Sequence, residues 1–165
     1  MGEEAFCAKA EAAGVDGLLV VVMPPEEEGD LVQAAKTRGL DLIYLAAPTT
    51  TDQRMRVIGD ASSGYLYYVS LKGVTGSSKL NTAEVAEKIE SMRAQVSVPI
   101  CVGFGIRTPE DAAAISRVAD GIIVGSVLVS AAEDLAHQPD QVPAALARIL
   151  KPMRQAMDEP NGMDL

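Results

Sequence analysis

Short apolar runs alternate with helix-like segments along the whole chain, and this alternation constrains the fold more than any other feature. Each run is about the length of a single buried β-strand. The five runs are Gly17–Met23, Leu42–Ala46, Tyr65–Val69, Pro99–Val102 and Ile122–Val124. No hairpin dipeptide joins one strand candidate to the next, so tight antiparallel turns are not expected. The pattern predicts an α/β protein with a parallel sheet of about five strands and alternating helices.

Helix signals fill the segments between these runs. Four helices are expected over the ranges 5–13, 26–38, 82–92 and 127–135. Three more are expected to begin after a cap at 48–52, at residue 108 and near residue 141. The strongest signal lies at Thr108, which is a good N-cap, with Pro109 at the first helical position and Asp111 placed for a capping box. Pro152 should kink the last helix.

The length of 165 residues predicts one domain, which we place at 1–158, followed by a polar tail at 159–165. The first run, Gly17–Met23, is apolar without alternation, and this predicts a strand buried on both faces.

Two of the strand candidates end in small residues that suit a ligand site. Gly103-Phe104-Gly105 follows the fourth run, and Gly125-Ser126 follows the fifth. Glycine lets a ligand approach the backbone closely, although a single Gly-x-Gly is also typical of a plain strand-to-helix turn. Two neighbouring strands that end in this way match the phosphate site of (β/α)8 barrels, which lies after the last two strands at the start of a short helix.

A doubly wound dinucleotide-binding domain is the main rival fold. Its fingerprint needs a third glycine in Gly-x-Gly-x-x-Gly, but Thr108 stands at that position. The sequence therefore gives no support to a dinucleotide site.

Composition excludes several classes of partner. The formal net charge is −9, so binding to a nucleic acid is not expected. Cys7 and Cys101 fit no metal-ligand pattern and are expected to be buried, reduced thiols, and His137 is expected on the surface. No apolar stretch reaches the length of a membrane span, and the N-terminus is acidic, which is not typical of a signal peptide. We therefore expect a cytoplasmic protein that has no membrane partner.

Three glycine-containing motifs and two strand-like segments together resemble the tryptophan synthase alpha chain family. The motifs are Gly73–Gly76, Val102–Ile106 and Val124–Ser126, and the segments are Gly14–Val20 and Gly64–Ser70. The resemblance extends over most of the chain and implies a (β/α)8 barrel, the TIM-barrel type. It implies a carbon–carbon lyase of tryptophan biosynthesis, which cleaves indole-3-glycerol phosphate into indole and glyceraldehyde 3-phosphate. It also implies no cofactor in this chain, because pyridoxal phosphate belongs to the beta chain that receives the indole.

The resemblance covers only the C-terminal portion of the family, strands four to eight of the barrel. A whole barrel takes about 250 residues, whereas this chain has 165. The family's catalytic glutamate and aspartate lie in the part without a counterpart, so we expect no catalytic residue here and no cleavage by this chain alone. Val22 stands where the family usually has an aspartate near the subunit contact, which weakens the expectation of a beta-chain partner.

By resemblance, the retained residues would bind a phosphorylated small-molecule substrate. Those residues are Tyr67, Thr75, Gly76, Gly103, Phe104, Gly105, Gly125 and Ser126. The loop residues Gly76, Gly105, Gly125 and Ser126 would surround the phosphate oxygens with backbone N–H groups, and Thr75 would sit on a loop that closes over the substrate. Taken without the resemblance, Thr75 is a turn residue and Tyr67 can equally be a core residue.

Three interpretations remain open at this point. The chain is a fragment of the lyase that keeps the phosphate-binding half, a half-enzyme completed by a separate N-terminal half, or a non-catalytic phosphate-binding or interaction module. The two edges of an incomplete parallel sheet also predict self-association of the chain.

Overall fold

The structure is a computed structural model that describes residues 1–21, 29–70, 82–103 and 105–159. Within these ranges, strands and helices alternate along the chain. The strands are β1 (Gly17–Leu19), β2 (Asp41–Ile43), β3 (Leu45–Ala46), β4 (Leu66–Val69), β5 (Ile100–Gly103) and β6 (Gly121–Ile123). The helices are α1 (Glu3–Ala12), α2 (Asp30–Thr37), α3 (Asp52–Ala61), α4 (Thr82–Arg93), α5 (Pro109–Ser116), α6 (Ser126–Asp134) and α7 (Val142–Asp158), with a short 3-10 helix at Pro139–Gln141.

The chain divides into two compact units. The first comprises Met1–Val69 and Glu90–Cys101, and the second comprises Ser70–Ile89 and Val102–Leu165. Helix α4 and strand β5 therefore contribute residues to both units.

The strands of the first unit pair in parallel, as the alternation predicted. Strand β1 pairs with β2, with Leu18 opposite Leu42, and β3 pairs with β4, with Leu45 opposite Tyr67. The run predicted as one strand is divided at Tyr44, a buried residue whose carbonyl accepts the N–H of Tyr67 at 3.0 Å. The division gives six strands instead of five, because each half of the run pairs with a different neighbour.

The first apolar run differs from its prediction. Strand β1 ends at Leu19, which is 42% exposed, and Val21 beyond it is 69% exposed. Burial on both faces needs cover on both faces, and in the described residues β1 is hydrogen-bonded to β2 alone. The prediction of a strand buried on both faces is therefore wrong for this part of the run, and its last two residues lie outside the described ranges.

Helices cover one face of the sheet in the first unit. Helix α2 contacts β2, and α3 contacts β3. The largest side chains that are fully buried in this unit are Cys7, Met55, Leu66, Met92 and Ile100.

The first two helices are joined at the surface as well as in the core. Arg38, directly after α2, forms ion pairs with Glu4 and Glu11 of α1 at 2.5 and 2.7 Å. Burial raises the pKa of the nearby Cys7 thiol, which keeps this thiol neutral at physiological pH. The expectation for Cys7 is therefore confirmed, whereas Cys101 is only half-buried, because it lies on a sheet face that lacks such cover.

In the second unit, the end of β5 is next to β6 in the sheet order, and α5 contacts both β6 and α7. Ile115 of α5 is fully buried. Helix α7 continues through Pro152 and buries Met153, and the kink expected at this proline stays a prediction. None of the helices within the described ranges is both long and apolar enough to cross a membrane.

Candidate phosphate-binding site

The loop after β5 is shaped by Gly105 and by the cap of α5. Gly105 has a φ of +82°, a left-handed conformation that favours glycine. The Thr108 hydroxyl accepts the N–H of Asp111 at 3.2 Å, and the Asp111 carboxylate accepts the N–H groups of Arg107 and Thr108 at 3.0 and 3.1 Å. These bonds form the predicted capping box, with Pro109 in the first turn. The first amides of this segment are therefore bound to side chains of the same segment.

The start of α6 differs from the start of α5. Gly125 is the N-cap of α6, and no side chain caps this helix in the described part of the chain. The Gly125 carbonyl accepts the N–H groups of Leu128 and Val129 at 2.9 and 3.1 Å. The N–H groups of Ser126 and Val127 come before these bonds in the chain, so they have no acceptor within the helix. The first turn of α6 carries no acidic residue. The start of α6 therefore offers backbone N–H donors and the partial positive charge of a helix N-terminus, and no acidic side chain in its first turn offsets that charge.

Gly125 is not required by the packing around it. Its φ is −125°, outside the left-handed region, and it is exposed. A Cβ built on it would meet nothing within 4 Å among the described residues. The absent side chain therefore leaves an open path to the backbone at the start of α6.

The sheet brings these two loops to one edge. Strands β5 and β6 are neighbours, and each is followed directly by its loop and helix. Carboxyl ends of neighbouring parallel strands lie at the same edge of a sheet. The loops that contain Gly105 and Gly125 therefore lie side by side, and the first residues of α6, Ser126 and Val127, supply the uncapped donors.

Ser70 is part of this region, although sequence reasoning gave it no role. It follows β4 directly and is 6% exposed. Its N–H and its hydroxyl both donate to the carbonyl of Gly103, at 3.2 and 3.4 Å. Ser70 thus ties the chain after β4 to the end of β5, next to the candidate loop. A polar residue directly after an aromatic strand was the available signal for it.

The structure places five of the eight predicted site residues. Gly103 is buried at the end of β5, while Gly105, Gly125 and Ser126 are exposed in the loops of the second unit. Tyr67 belongs to the first unit, where it is half-buried on β4. Burial, followed by the neighbouring Tyr65, raises the pKa of Tyr67 above its usual value. The other three predicted residues, Thr75, Gly76 and Phe104, lie outside the described ranges.

The described residues contain no group of histidine, cysteine or acidic side chains that could hold a metal ion. His137 is exposed, as expected. Ala47 follows β3, Ser70 follows β4 and Val124 follows β6, so none of these three strands is followed directly by an acid, and the residue after β5 lies outside the described ranges. What the described residues offer at the β5–β6 edge is the set of backbone N–H donors at the start of α6.

Parallel strands that alternate with helices, with two glycine-containing loops at one edge of the sheet, are typical of the (β/α)-barrel class. The profile of the tryptophan synthase alpha chain family matches residues 1–158, and the chain belongs to this family. The family and the barrel-type fold class expected from the sequence are thus confirmed.

Individual relatives agree with this assignment. The tryptophan synthase alpha chain of Thioalkalivibrio sulfidiphilus is 49% identical over 158 residues, which cover 96% of this chain and 59% of the relative. The crystal structure of the alpha chain from Legionella pneumophila subsp. pneumophila is similar with a TM-score of 0.83 and 39% identity, over 98% of this chain and 59% of that one. A structure described as the tryptophan synthase α2β2 complex of Pyrococcus furiosus matches with a TM-score of 0.76 and 29% identity, over 93% and 60% of the two chains. This chain therefore spans less than two thirds of the length of the relatives it matches.

Proposed function

We propose that this chain is the substrate-binding portion of an alpha-chain-type lyase and holds the phosphate of a glycerol phosphate group at the start of α6. Its reaction class is the cleavage of indole-3-glycerol phosphate to indole and glyceraldehyde 3-phosphate. The observation that carries the proposal is the uncapped, acid-free start of α6 at Gly125, next to the glycine loop after β5.

The net charge of the chain makes a local donor site necessary. At a formal charge of −9, the protein as a whole repels an anion, so any phosphate must be held by short-range contacts. Backbone N–H groups at a helix start supply such contacts, and the helix dipole adds to them. The hydroxyl of Ser126, at the first position of α6, offers one more donor.

Binding and chemistry separate in this proposal. Cleavage of the carbon–carbon bond needs one group to protonate the indole ring and another to remove a hydroxyl proton. Neither group is supplied directly after β3, β4 or β6 in the described chain. We infer that the chain alone binds the glycerol phosphate part of the substrate but does not cleave it.

Titration calorimetry with sn-glycerol 3-phosphate tests the phosphate site. Gly125→Asp should reduce the affinity by about fivefold to a thousandfold, because a carboxylate about 4 Å from a phosphate charge costs about 1 kcal/mol in a water-like dielectric and about 4 kcal/mol in one typical of a protein surface. Gly125→Asn is the matched control, since it adds a side chain of the same size without charge. It should weaken binding less than the aspartate does. Both variants should keep the far-UV circular dichroism of the parent, because the position is open.

Undiminished binding in Gly125→Asp would place the phosphate elsewhere. Equal losses in the aspartate and asparagine variants would mean that steric blocking, not charge, sets the effect. Glycerol without phosphate serves as the ligand control and should produce no binding heat.

We also propose a beta chain as a partner, because the matched Pyrococcus furiosus structure is described as an α2β2 complex. In that proposal the pyridoxal phosphate belongs to the beta chain, and this chain carries no cofactor. Co-elution of this chain with a purified beta chain in size-exclusion chromatography supports it, and separate elution at micromolar concentrations contradicts it. A phosphate-binding module without catalytic partners is the alternative, and it predicts glycerol phosphate binding without association.

A further inference from the structure

Ser70 binds the end of a neighbouring strand from inside the core. It follows β4 directly and is 6% exposed. Its N–H and its hydroxyl both donate to the carbonyl of Gly103, the buried last residue of β5. The two residues lie 33 positions apart in the chain, and both belong to the second unit. This contact therefore fixes the point at which the loop after β5 leaves the sheet.

Packing alone does not account for a serine at this position. Among the described residues, Ser70 is the one polar side chain in the buried core. A buried hydroxyl costs free energy unless it is hydrogen-bonded, and alanine would fill nearly the same volume without that cost. What the serine adds is a second donor to Gly103. A carbonyl oxygen has two lone pairs, and the N–H and the hydroxyl of Ser70 together supply a donor for each.

The direction of the Gly103 carbonyl matters because of the donors on the other side of β5. Strands β4 and β6 flank β5 in the sheet order, so a carbonyl held by Ser70 points away from the start of α6. A carbonyl oxygen turned toward α6 would compete with an anion for the N–H groups of Ser126 and Val127. Because a peptide bond is planar, holding this carbonyl also holds the direction in which the chain continues toward Gly105.

We propose that Ser70 is a positioning residue of the phosphate site, which holds the Gly103 carbonyl away from α6 and so sets the loop that contains Gly105. The inference rests on the proposed phosphate site. Ser70 acts through Gly103 and not on the ligand, because its side chain is buried and donates to that carbonyl. Its effect is therefore on the affinity for the phosphate group and not on the recognition of the glycerol hydroxyls.

Titration calorimetry of Ser70→Ala with two ligands tests the proposal. Alanine removes the hydroxyl and keeps the N–H bond, so the affinity for sn-glycerol 3-phosphate should fall about threefold to tenfold. The affinity for inorganic phosphate should fall by the same factor, because the two ligands share only the phosphate group. Ser70→Thr keeps the hydroxyl, and it should bind both ligands within about twofold of the parent.

Ser116→Ala is the matched control for a loss of stability. Ser116 is a half-buried serine of the same unit, and its hydroxyl donates to the Ala113 carbonyl at 3.0 Å at the far end of α5. This variant also loses one serine hydrogen bond, but it should leave both affinities unchanged. Amide hydrogen exchange over residues 103–107, measured without ligand, should become faster in Ser70→Ala and stay unchanged in Ser116→Ala.

Four results would overturn the proposal. They are parent-like affinities in Ser70→Ala, a loss for sn-glycerol 3-phosphate that inorganic phosphate does not share, an equal loss in a folded Ser70→Thr, and an equal loss in Ser116→Ala. If Ser70→Thr does not fold, Ser70→Ala and Ser116→Ala decide alone.

Failure of the proposed phosphate site gives a different result, because the parent then binds neither ligand. In that case hydrogen exchange over residues 103–107 decides the role of Ser70. Faster exchange in Ser70→Ala supports its hold on this loop, and exchange that matches the parent overturns it.

Discussion

The capping box of α5 sets the position of the loop beside the candidate site, and its removal has a calculable cost. Thr108→Ala deletes the acceptor of the Asp111 N–H bond of 3.2 Å. Loss of an N-cap of this kind costs about 1 kcal/mol. Asp111→Ala removes the carboxylate that accepts the N–H groups of Arg107 and Thr108, at 3.0 and 3.1 Å, and with it a negative charge at the start of the helix. We expect it to cost about 1.5–2 kcal/mol, from the exposed hydrogen bonds together with the dipole.

The two side chains act as one unit, so their costs should not add. In a double-mutant cycle we expect a coupling of about 0.5–1 kcal/mol between Thr108 and Asp111, because each orients the segment that the other binds. Thr108→Ser keeps the hydroxyl acceptor and is the matched control, with an expected change within about 0.5 kcal/mol.

Amide hydrogen exchange, followed by mass spectrometry of peptides that cover α5, measures how much each substitution weakens this helix locally. Urea unfolding measures the change in the free energy of unfolding of the whole chain. The alanine variants should exchange faster in the first turns of α5 than the serine variant does. Equal protection in Thr108→Ala and Thr108→Ser, or strictly additive costs in the cycle, would refute the role assigned to the box.

Two further predictions concern the core and the tyrosines. Ile115 is fully buried, so Ile115→Ala should cost about 2–5 kcal/mol in chemical unfolding, and Ile115→Val about 0.5–1.5 kcal/mol; equal costs would contradict the packing described. Burial, assisted by neighbouring groups, raises the pKa of Tyr65 and Tyr67 above 10.0 in the folded chain. The folded state therefore holds the phenol protons more tightly than the unfolded state does. The resulting contribution to stability is fully present at a pH below the tyrosine pKa of the unfolded chain, and it is lost as the pH rises through the tyrosine pKa of the folded chain. The free energy of unfolding should therefore fall at alkaline pH, and it should fall less steeply in Tyr67→Phe. Tyrosinate absorbance that develops at the ordinary tyrosine pKa would contradict this prediction.

Local signals in the sequence predicted local structure well. Thr108, Pro109 and Asp111 specify the start of α5 through contacts within a few residues, and the structure shows that start as predicted. The alternation of strands and helices predicted the fold class for the same reason, since it reflects the periodicity of each segment. A cap was also predicted within 48–52, and the structure shows Thr51 as the N-cap of α3.

Features that depend on distant neighbours were not predicted. The apolar run from Gly17 gave no sign that Leu19 and Val21 would be exposed, because exposure depends on what lies beside the strand and not on the run itself. The division of a strand at Tyr44 depends on pairing with two different strands. Ser70 is tied to Gly103 across a large sequence separation. At the site, residue type predicted the two glycine positions and the cap of α5, but only the structure showed that no side chain caps α6 in the described part of the chain.

The assay that tests the central claim most directly is indole release from indole-3-glycerol phosphate. Four samples are compared: this chain, the segment of a related alpha chain that it does not span, both together, and both with Gly125→Asp in this chain. We expect no indole above background from either piece alone, release from the mixture, and strong loss with Gly125→Asp, because this chain supplies phosphate donors and the other segment supplies the acid–base pair. Substantial indole release by this chain alone would contradict the account, since it would require catalytic acids in a chain to which we assign only binding.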